Sequence, residues 1–408
     1  MQGCEIMHVL IIPGEELNEN NLLSSIFEIH QAHALKDLNV RVGFISTNLN
    51  GSIYKEVIQE IKKLDFKFNK SIRIKIQRIN EINLVEAYGK YITPSFLNLY
   101  RKERTRAGLL AYKNYCTEFG IPDIIHAHSR FLDSVIIANK IFKRYKVPYI
   151  FTEHSSFHQR EIVTKKEYQI YIQLINNSNR WIVVGESLGK FIIHKLEELR
   201  FKINKPFTVV PNILDKNFIS SIDVPQKIDS YQNFSFLNVA SLDLNKNHAL
   251  LLESFAEISK RYKNVKLKIA GVGPQIENLL NKKNILGLDN VEFLGGLNRD
   301  EVVNEIKQAN CFVLSSKIET FGVVLIEAMS IGRPVISTRC GGPNDIVNQQ
   351  NGILVEPNNI QELANAMCEM INNYSQYNLN AISKSCIENY GPKAIGKKLI
   401  QIYQEALN

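Results

Sequence analysis

SSKIETFGVVLIEAMSIGRPVIST, residues 315–338, follows directly on the apolar run CFVL (311–314) and carries the reading of the fold. CFVLSS (311–316) predicts a buried strand. The polar turn Glu319–Thr320–Phe321–Gly322 breaks it, an apolar-periodic stretch predicts a helix over 322–331, and PVIST (334–338) predicts the next strand. Strand, helix and strand in this order argue for a parallel sheet with helices on its faces. Free amides and the dipole at such a helix start suit a diphosphate or a sugar hydroxyl. Glu319 stands just before that helix, where a carboxylate also complements the dipole. Glu327 lies eight residues on, inside the helix. It is placed either to accept hydrogen bonds from both hydroxyls of a ribose or to face solvent.

The alternation extends both ways. Upstream in the second half, strands are expected at 234–240, 265–271 and 291–296, and downstream at 352–357, with helices near 247–261, 274–287, 299–309 and 360–373. The first half repeats the pattern: strands at 6–12, 40–46, 72–78, 123–128, 149–152 and 181–184, and helices near 21–37, 96–118, 131–145, 165–178 and 187–199. A polar stretch at 220–233 reads as a linker. The expected class is α/β, with two Rossmann-like doubly wound domains facing across a cleft: residues 1–207, then 208–391. A last amphipathic helix near 392–408 is expected to pack back on the first domain. Ligands of open α/β sheets bind outside the carboxyl ends of the strands, at topological switch points, but that rule does not choose the chemistry.

A chain of 408 residues, 45% hydrophobic and 22% charged, is long enough for two packed cores. No run of 18 apolar residues suggests a membrane span, and MQGCEIMHVLIIP (1–13) reads as a buried first strand rather than a signal peptide. The six cysteines form no CxxC pair, which points to reduced thiols in a cytoplasmic protein and away from a zinc site. The net charge of +8 is lopsided: residues 1–205 hold 30 Lys+Arg against 21 Asp+Glu. A basic first half suits an anionic membrane face or a phosphate-bearing acceptor, or is only a solvated basic face. No aromatic–basic motif supports nucleic acid as a partner.

The segment 315–338 resembles the E-x7-E motif of glycosyltransferase family 4, retaining enzymes of GT-B fold. CGGPNDIV (340–347), NGILVEP (351–357), VASLDLNKNHALLLESFAEI (239–258), LKIAGVGP (267–274) and VEFLGGLNRDEV (291–302) extend the resemblance over nearly all of the second half. The first half resembles the family more loosely, through DIIHAHSRFLDS (123–134), VPYIFTEHSSF (147–157) and VVPNILD (209–215). The resemblance implies that Lys246 contacts the donor diphosphate, that Glu319 lies near the sugar hydroxyls and that Glu327 holds the ribose. It implies that backbone amides of Phe321, Gly322 and Val323 grip sugar or phosphate, while Gly271, Gly273 and Leu297 line the nucleotide. His154 matches a histidine that approaches the donor sugar, which with Glu319 and Lys246 completes the expected catalytic set. His128, Arg160 and the pair Ser24–Ser25, which stands near the glycine of the family's first loop, are expected on the acceptor side; His126 reads as packing. Ser241 occupies a donor-side position where the family often has arginine, so Arg160, Arg299 or Arg339 is left to supply that cation.

No Asp-x-Asp follows a strand end, and Asp243 is too isolated to count, so no metal and no other cofactor is expected; the leaving diphosphate would be neutralised by Lys246 and helix dipoles. The resemblance implies retention of anomeric configuration, and no residue can be assigned as a nucleophile, which favours front-face substitution over double displacement. The expected activity is hexosyl transfer from a nucleotide-diphosphate sugar, UDP before GDP, to a glycan or lipid-linked acceptor in cell-surface polysaccharide or glycoconjugate synthesis. The enzyme would be cytoplasmic, with peripheral contact to the anionic membrane face. The rival readings are a nucleotide-sugar epimerase of the same fold and a catalytically silent sugar-binding module.

Overall fold

Short β-branched runs assemble into two separate sheets, seen here in a computed structural model that describes residues 6–17, 25–50, 72–79, 81–90, 97–130, 132–220 and 233–408. Most of the expected linker, residues 221–232, lies outside the described residues, as do residues 61–71 of the basic first half and Ser24. The chain divides into two units. The first comprises residues 1–184, 192–210 and 396–408; the second comprises 185–191 and 211–395.

The first unit carries β1 (His8–Ile12), α1 (Ile26–Lys36), β2 (Arg41–Asn50), β3 (Arg73–Ile79), β4 (Ile82–Lys90), α2 (Leu97–Phe119), β5 (Ile124–Ser129), α3 (Asp133–Tyr145), β6 (Tyr149–Glu153), α4 (Lys165–Asn177), β7 (Arg180–Val183), the later part of α5 (Glu186–Glu198), whose residues 186–191 count with the second unit, and β8 (Thr208–Val209). Its sheet runs β3-β4-β2-β1-β5-β6-β7-β8, parallel except for β3, which pairs antiparallel with β4. The central strands β1, β5 and β6 are buried along their whole length, as strands covered on both faces must be. Residues of the last helix belong here too: Tyr403 donates or accepts at His126 Nδ1 (2.8 Å), and Asn179 Nδ2 donates to the Ala406 carbonyl (2.9 Å).

The second unit carries α6 (Lys216–Ser220), β9 (Phe234–Val239), α7 (His248–Ser259), β10 (Val265–Ala270), α8 (Ile276–Ile285), β11 (Val291–Gly295), α9 (Arg299–Gln308), β12 (Cys311–Leu314), α10 (Val323–Ser330), β13 (Val335–Thr338), α11 (Pro343–Ile346), β14 (Gly352–Val355), α12 (Ile360–Asn373), α13 (Leu379–Tyr390) and α14 (Pro392–Leu407), the last of which continues into the first unit. Its sheet is parallel throughout, in the order β11-β10-β9-β12-β13-β14. Phe236, Leu267, Ile269, Val313 and Ile336 pack under Leu251, Phe255, Leu363 and Met367 of α7 and α12. Caps fix the helix starts. Asn298 accepts from the Glu301 amide (3.0 Å) while Glu301 returns a bond to the Asn298 amide (2.7 Å), and Asn359 accepts from Glu362.

Five elements were absent from the sequence expectation: β4, the two-residue β8, the short helices α6 and α11, and α13. INLVEAYGK (82–90) mixes charged and small residues, and its strand state comes from pairing with β2 and β3. In α13 only a narrow stripe is buried, Leu379, Ile382, Ser383 and Cys386.

Candidate active site

Counted from β9, the second sheet reads third, second, first, fourth, fifth, sixth strand. Its order reverses between β9 and β12. The β9–β12 ladder stops at Phe312↔Leu237, two residues short of either strand end. Beyond it Asn238 Nδ2 donates to the Val313 carbonyl (2.8 Å), and the Asn238 amide oxygen meets His248 Nε2 (2.9 Å). Burial pushes the His248 imidazole down to about 4, so it is a neutral strut at physiological pH. Past this strut the two chains part, and the loops that follow them hold the side chains of interest.

Lys246, from the loop after β9, places Nζ 2.5 Å from Glu319 Oε1, from the loop after β12. Ser316 Oγ donates to the same oxygen (2.7 Å). The pair is half-buried, with Lys246 22% and Glu319 14% exposed. Both loops are pinned by backbone. Lys317 N donates to the Asn245 carbonyl (2.8 Å), Asn245 Nδ2 to the Ile318 carbonyl (3.0 Å) and Ser315 Oγ to the Lys246 carbonyl (2.9 Å). Glu319 itself is held by its amide on the Cys340 carbonyl and by its carbonyl, which accepts from Gly342 N. Gly342 is obligatory there, because a Cβ would lie 2.3 Å from Phe321 Cα.

Asp243, which looks isolated in sequence, organises the lysine loop. It accepts from the amides of Asn245 (2.8 Å) and Lys246 (3.1 Å) and from Ser241 Oγ (2.7 Å). Partial burial pushes its carboxyl up, but those bonds and the Lys246 charge outweigh burial and hold it below its usual value. Ser241 is exposed and spends its hydroxyl on Asp243.

Glu327 is 3% exposed, so it is not a solvent-facing helix glutamate. Arg299 Nη1 donates to its Oε1 (2.7 Å), and Arg299 Nε lies 3.4 Å from Asp215 Oδ2, with the guanidinium over the Phe218 ring at 5.5 Å. Burial raises the Glu327 carboxyl, Arg299 pulls it back and Asp215 adds to the rise. Of the arginines considered for the Ser241 gap, Arg299 is therefore committed to two carboxylates, and Arg339 pairs with Glu356 at 3.1 Å. Gly271 and Gly273 press the loop after β10 onto the loop after β9. Gly271 has φ +145°, and added Cβ atoms would sit 1.8 Å from the Ala240 carbonyl oxygen and 2.5 Å from that of Leu242. Leu297 is half-buried just before the Asn298 cap. Phe321 is buried against Tyr390, Gly322 starts α10 at φ +97°, and Val323 is its first residue, so amides here have no preceding turn to accept them.

The first sheet has its own reversal, between β1 and β5. Gly14, Glu28, Arg130, His154 and Arg160 line a recess of about 290 Å³ at those strand ends. His154 Nε2 lies 2.9 Å from His128 Nδ1, and the rings stack with centroids 5.1 Å apart. His128 is fully buried against His126, itself bonded to Thr152 and Tyr403. Burial, then the neighbouring imidazoles, push His128 well below its usual value, and burial takes His126 down to about 3. His128 thus backs His154 rather than lining the recess. Ser25 is buried at the start of α1. Glu28, which the sequence did not single out, accepts from the Gly14 amide (3.2 Å), and burial pushes its carboxyl up to about 7.

Two family models match this chain: "Glycosyltransferase Family 4" over residues 29–218 and "Glycosyl transferases group 1" over 223–390. The chain belongs to glycosyltransferase family 4. Its fold is GT-B, and it is a glycosyltransferase. This family 4 chain is 29% identical over 271 residues to an uncharacterized glycosyltransferase of Methanocaldococcus jannaschii, covering 64% of this chain and 68% of that protein. It is also 29% identical to the gpi3 component of the Schizosaccharomyces pombe phosphatidylinositol N-acetylglucosaminyltransferase, over 56% of this chain and 49% of that protein. The matched stretch spans about half the length of several such relatives. An Anabaena protein, HepE, crystallised with UDP and glucose superposes with TM-score 0.68 over 98% of this chain and 99% of that one, at 17% identity.

Among the described residues of this glycosyltransferase, no group of three or more His, Cys, Asp or Glu side chains could hold a metal ion, and no helix is long and apolar enough to cross a membrane. Asp215, Asp243 and Glu28 are the site residues that sequence reading missed. Asp215 closes the quoted VVPNILD stretch and Asp243 stands three residues before Lys246, so position near a motif was the available signal.

Proposed function

We propose that this glycosyltransferase transfers a hexosyl group, with retention, from a UDP-sugar to a glycan or lipid-linked acceptor, without a metal ion. The observation that supports this reading most is the Lys246–Glu319 pair at the reversal of the second sheet. With donor bound, the Lys246 ammonium turns to the diphosphate and neutralises the charge that grows as the glycosidic bond breaks. Glu319, held by Ser316, accepts from the sugar hydroxyls. Glu327 keeps Oε1 on Arg299 and offers Oε2 to the ribose. Amides at the start of α10 bind the phosphate or sugar. The donor phosphate takes the acceptor proton in a front-face substitution, so the protein's contribution is positioning and charge stabilisation. His154, backed by His128, approaches the donor sugar. The first half's excess of Lys and Arg favours peripheral contact with anionic membrane, and salt-sensitive binding to anionic liposomes is its check.

A thermal-shift panel of UDP-, GDP- and ADP-sugars tests the donor assignment. The cognate sugar nucleotide raises Tm by linkage, and EDTA leaves that shift unchanged. No shift with any nucleotide sugar, or a shift that needs a divalent ion, overturns the reading.

A further inference from the structure

A polar cavity of about 750 Å³ lies wholly within the second unit. Its size falls in the range of small-molecule sites. It follows α13. Asn378, Ala381, Ser385 and Asn389, spaced by three or four residues, share one face of that helix and line the cavity from the helix cap to its last turn. Twelve helical residues make this wall about 18 Å long, so the cavity is a groove rather than a pit. Its remaining wall is the loop at 348–351 and the end of α12 at Glu369 and Asn373. That loop leads into β14, and the Asn351 carbonyl accepts from Val335 N at the start of β13 (3.0 Å). This end of the groove therefore lies at the amino ends of the strands, opposite the carboxyl ends that carry Lys246 and Glu319. At the other end is Tyr390, whose ring meets that of Phe321 (5.8 Å).

The polar groups of the groove are mostly amides, oriented and half-used. Asn378 Oδ1 accepts from the Ala381 amide (3.1 Å), Asn348 Oδ1 accepts from the Gln350 amide (2.9 Å), and Asn389 Nδ2 donates to the Ser385 carbonyl (2.9 Å). Each bond fixes one side-chain amide and leaves its other end without a partner among the described residues. Gln349 and Gln350 are exposed, and their side chains have no partner among the described residues. An amide offers both a donor and an acceptor, and a hydroxyl does the same. Amides held in place before binding lose little freedom when a ligand arrives.

The other lining groups narrow the ligand class. Among the described residues no Lys, Arg or His lines the groove, so an anion finds no counter-charge there. Asp345 already accepts from the Ser187 hydroxyl (2.8 Å) and amide (3.0 Å), which leaves Glu369 as the single lining carboxyl open to a cation. An apolar ligand would cover the amides without bonding them. Tyr377 and Tyr390 are half-buried, and burial pushes both phenols up to about 12, so they stay protonated donors at neutral pH. A ring with a polar tip suits a ligand that has apolar C–H faces and hydroxyl edges, which describes a sugar.

We propose that this groove is a second carbohydrate site, which holds a neutral oligosaccharide along α13, apart from the Lys246–Glu319 pair. It stands without the donor and the mechanism proposed above.

The full-length protein is titrated with three neutral trisaccharides (maltotriose, cellotriose and tri-N-acetylchitotriose), with cationic chitotriose and with anionic trigalacturonate, and binding is read by saturation-transfer NMR and calorimetry. At least one neutral trisaccharide binds saturably, and the charged ones bind at least about tenfold more weakly than it does. Ala381→Trp, at an exposed position of α13, fills the groove and abolishes the binding. The double variant Gln349→Ala, Gln350→Ala weakens it by about tenfold. Circular dichroism and the Tm shift given by a nucleotide sugar stay unchanged in both variants. No binding of any neutral trisaccharide, tighter binding of a charged one, neutral binding that survives Ala381→Trp, or full affinity in the double variant overturns the proposal. A nucleotide-sugar shift without trisaccharide binding defeats this inference alone. Trisaccharide binding that Ala381→Trp removes upholds it even where no nucleotide sugar raises Tm.

Discussion

At the reversal of the second sheet, Lys246 and Glu319 form an ion pair and meet each other at 2.5 Å. At the reversal of the first, Glu28 and His128 are buried, and burial favours the uncharged form of both. One strand order thus supports two solutions to the same electrostatic problem. A site that must meet a diphosphate needs a permanent cation, and holding it on a carboxylate until the ligand arrives avoids an unpaired charge. A site that meets hydroxyls needs neutral donors and acceptors, and desolvation supplies them. Sequence motifs advertise the first solution, since charged residues at fixed spacing are visible. They are silent on the second, since burial of Glu28 depends on what the rest of the chain packs around it.

The contrast can be broken most forcefully at Glu28. Its folded carboxyl holds its proton to about 7, while the unfolded one releases it near 4.5. Between those values the folded state binds more protons, so stability falls as pH rises through the window, by on the order of 3 kcal/mol. Urea unfolding at several pH values shows this slope in the wild type, and Glu28→Gln removes it. An unchanged slope in the variant would mean that Glu28 is charged in the folded protein.

Next in size is Lys246→Met, which leaves the second reversal without its cation. Transfer turnover falls about hundredfold, or about 2.7 kcal/mol of barrier, with the fold intact by circular dichroism. Near-normal turnover would remove Lys246 from the machinery. The smallest effect is expected of Arg299→Ala, which strands the buried Glu327 beside Asp215. Arg299 is 36% exposed, so solvent already screens part of the pair, and a loss of about 2 kcal/mol in unfolding free energy is expected rather than the larger cost of breaking a sealed pair. The loss shrinks at acid pH, where Glu327 takes up a proton, and a pH-independent loss would point to packing on Phe218 instead.

Much of the architecture was legible because the buried strands of parallel sheets are short apolar runs and the helices between them are amphipathic. β1, β5, β6, β12 and β13 fall where CFVL-like runs placed them. β4 did not, because Glu86 and Gly89 interrupt its apolar pattern and its conformation is imposed by neighbours on both sides. The helix α13 was hidden by its polar composition, although Asn378 accepting from the Ala381 amide is a cap that the sequence already contained. At the site, motif spacing brought Lys246, Glu319 and Glu327 into view. The carboxylates that organise them, Asp243 and Asp215, were not, since a capping aspartate and a surface aspartate look alike before the chain is folded.

Residues 396–408 belong to the first unit, where Tyr403 meets the buried His126 and the Ala406 carbonyl accepts from Asn179. In the order of synthesis, these thirteen positions come after the whole second unit. The nearly contiguous second unit can therefore fold while the first still waits for this helix, so the first unit is begun before the second and completed after it.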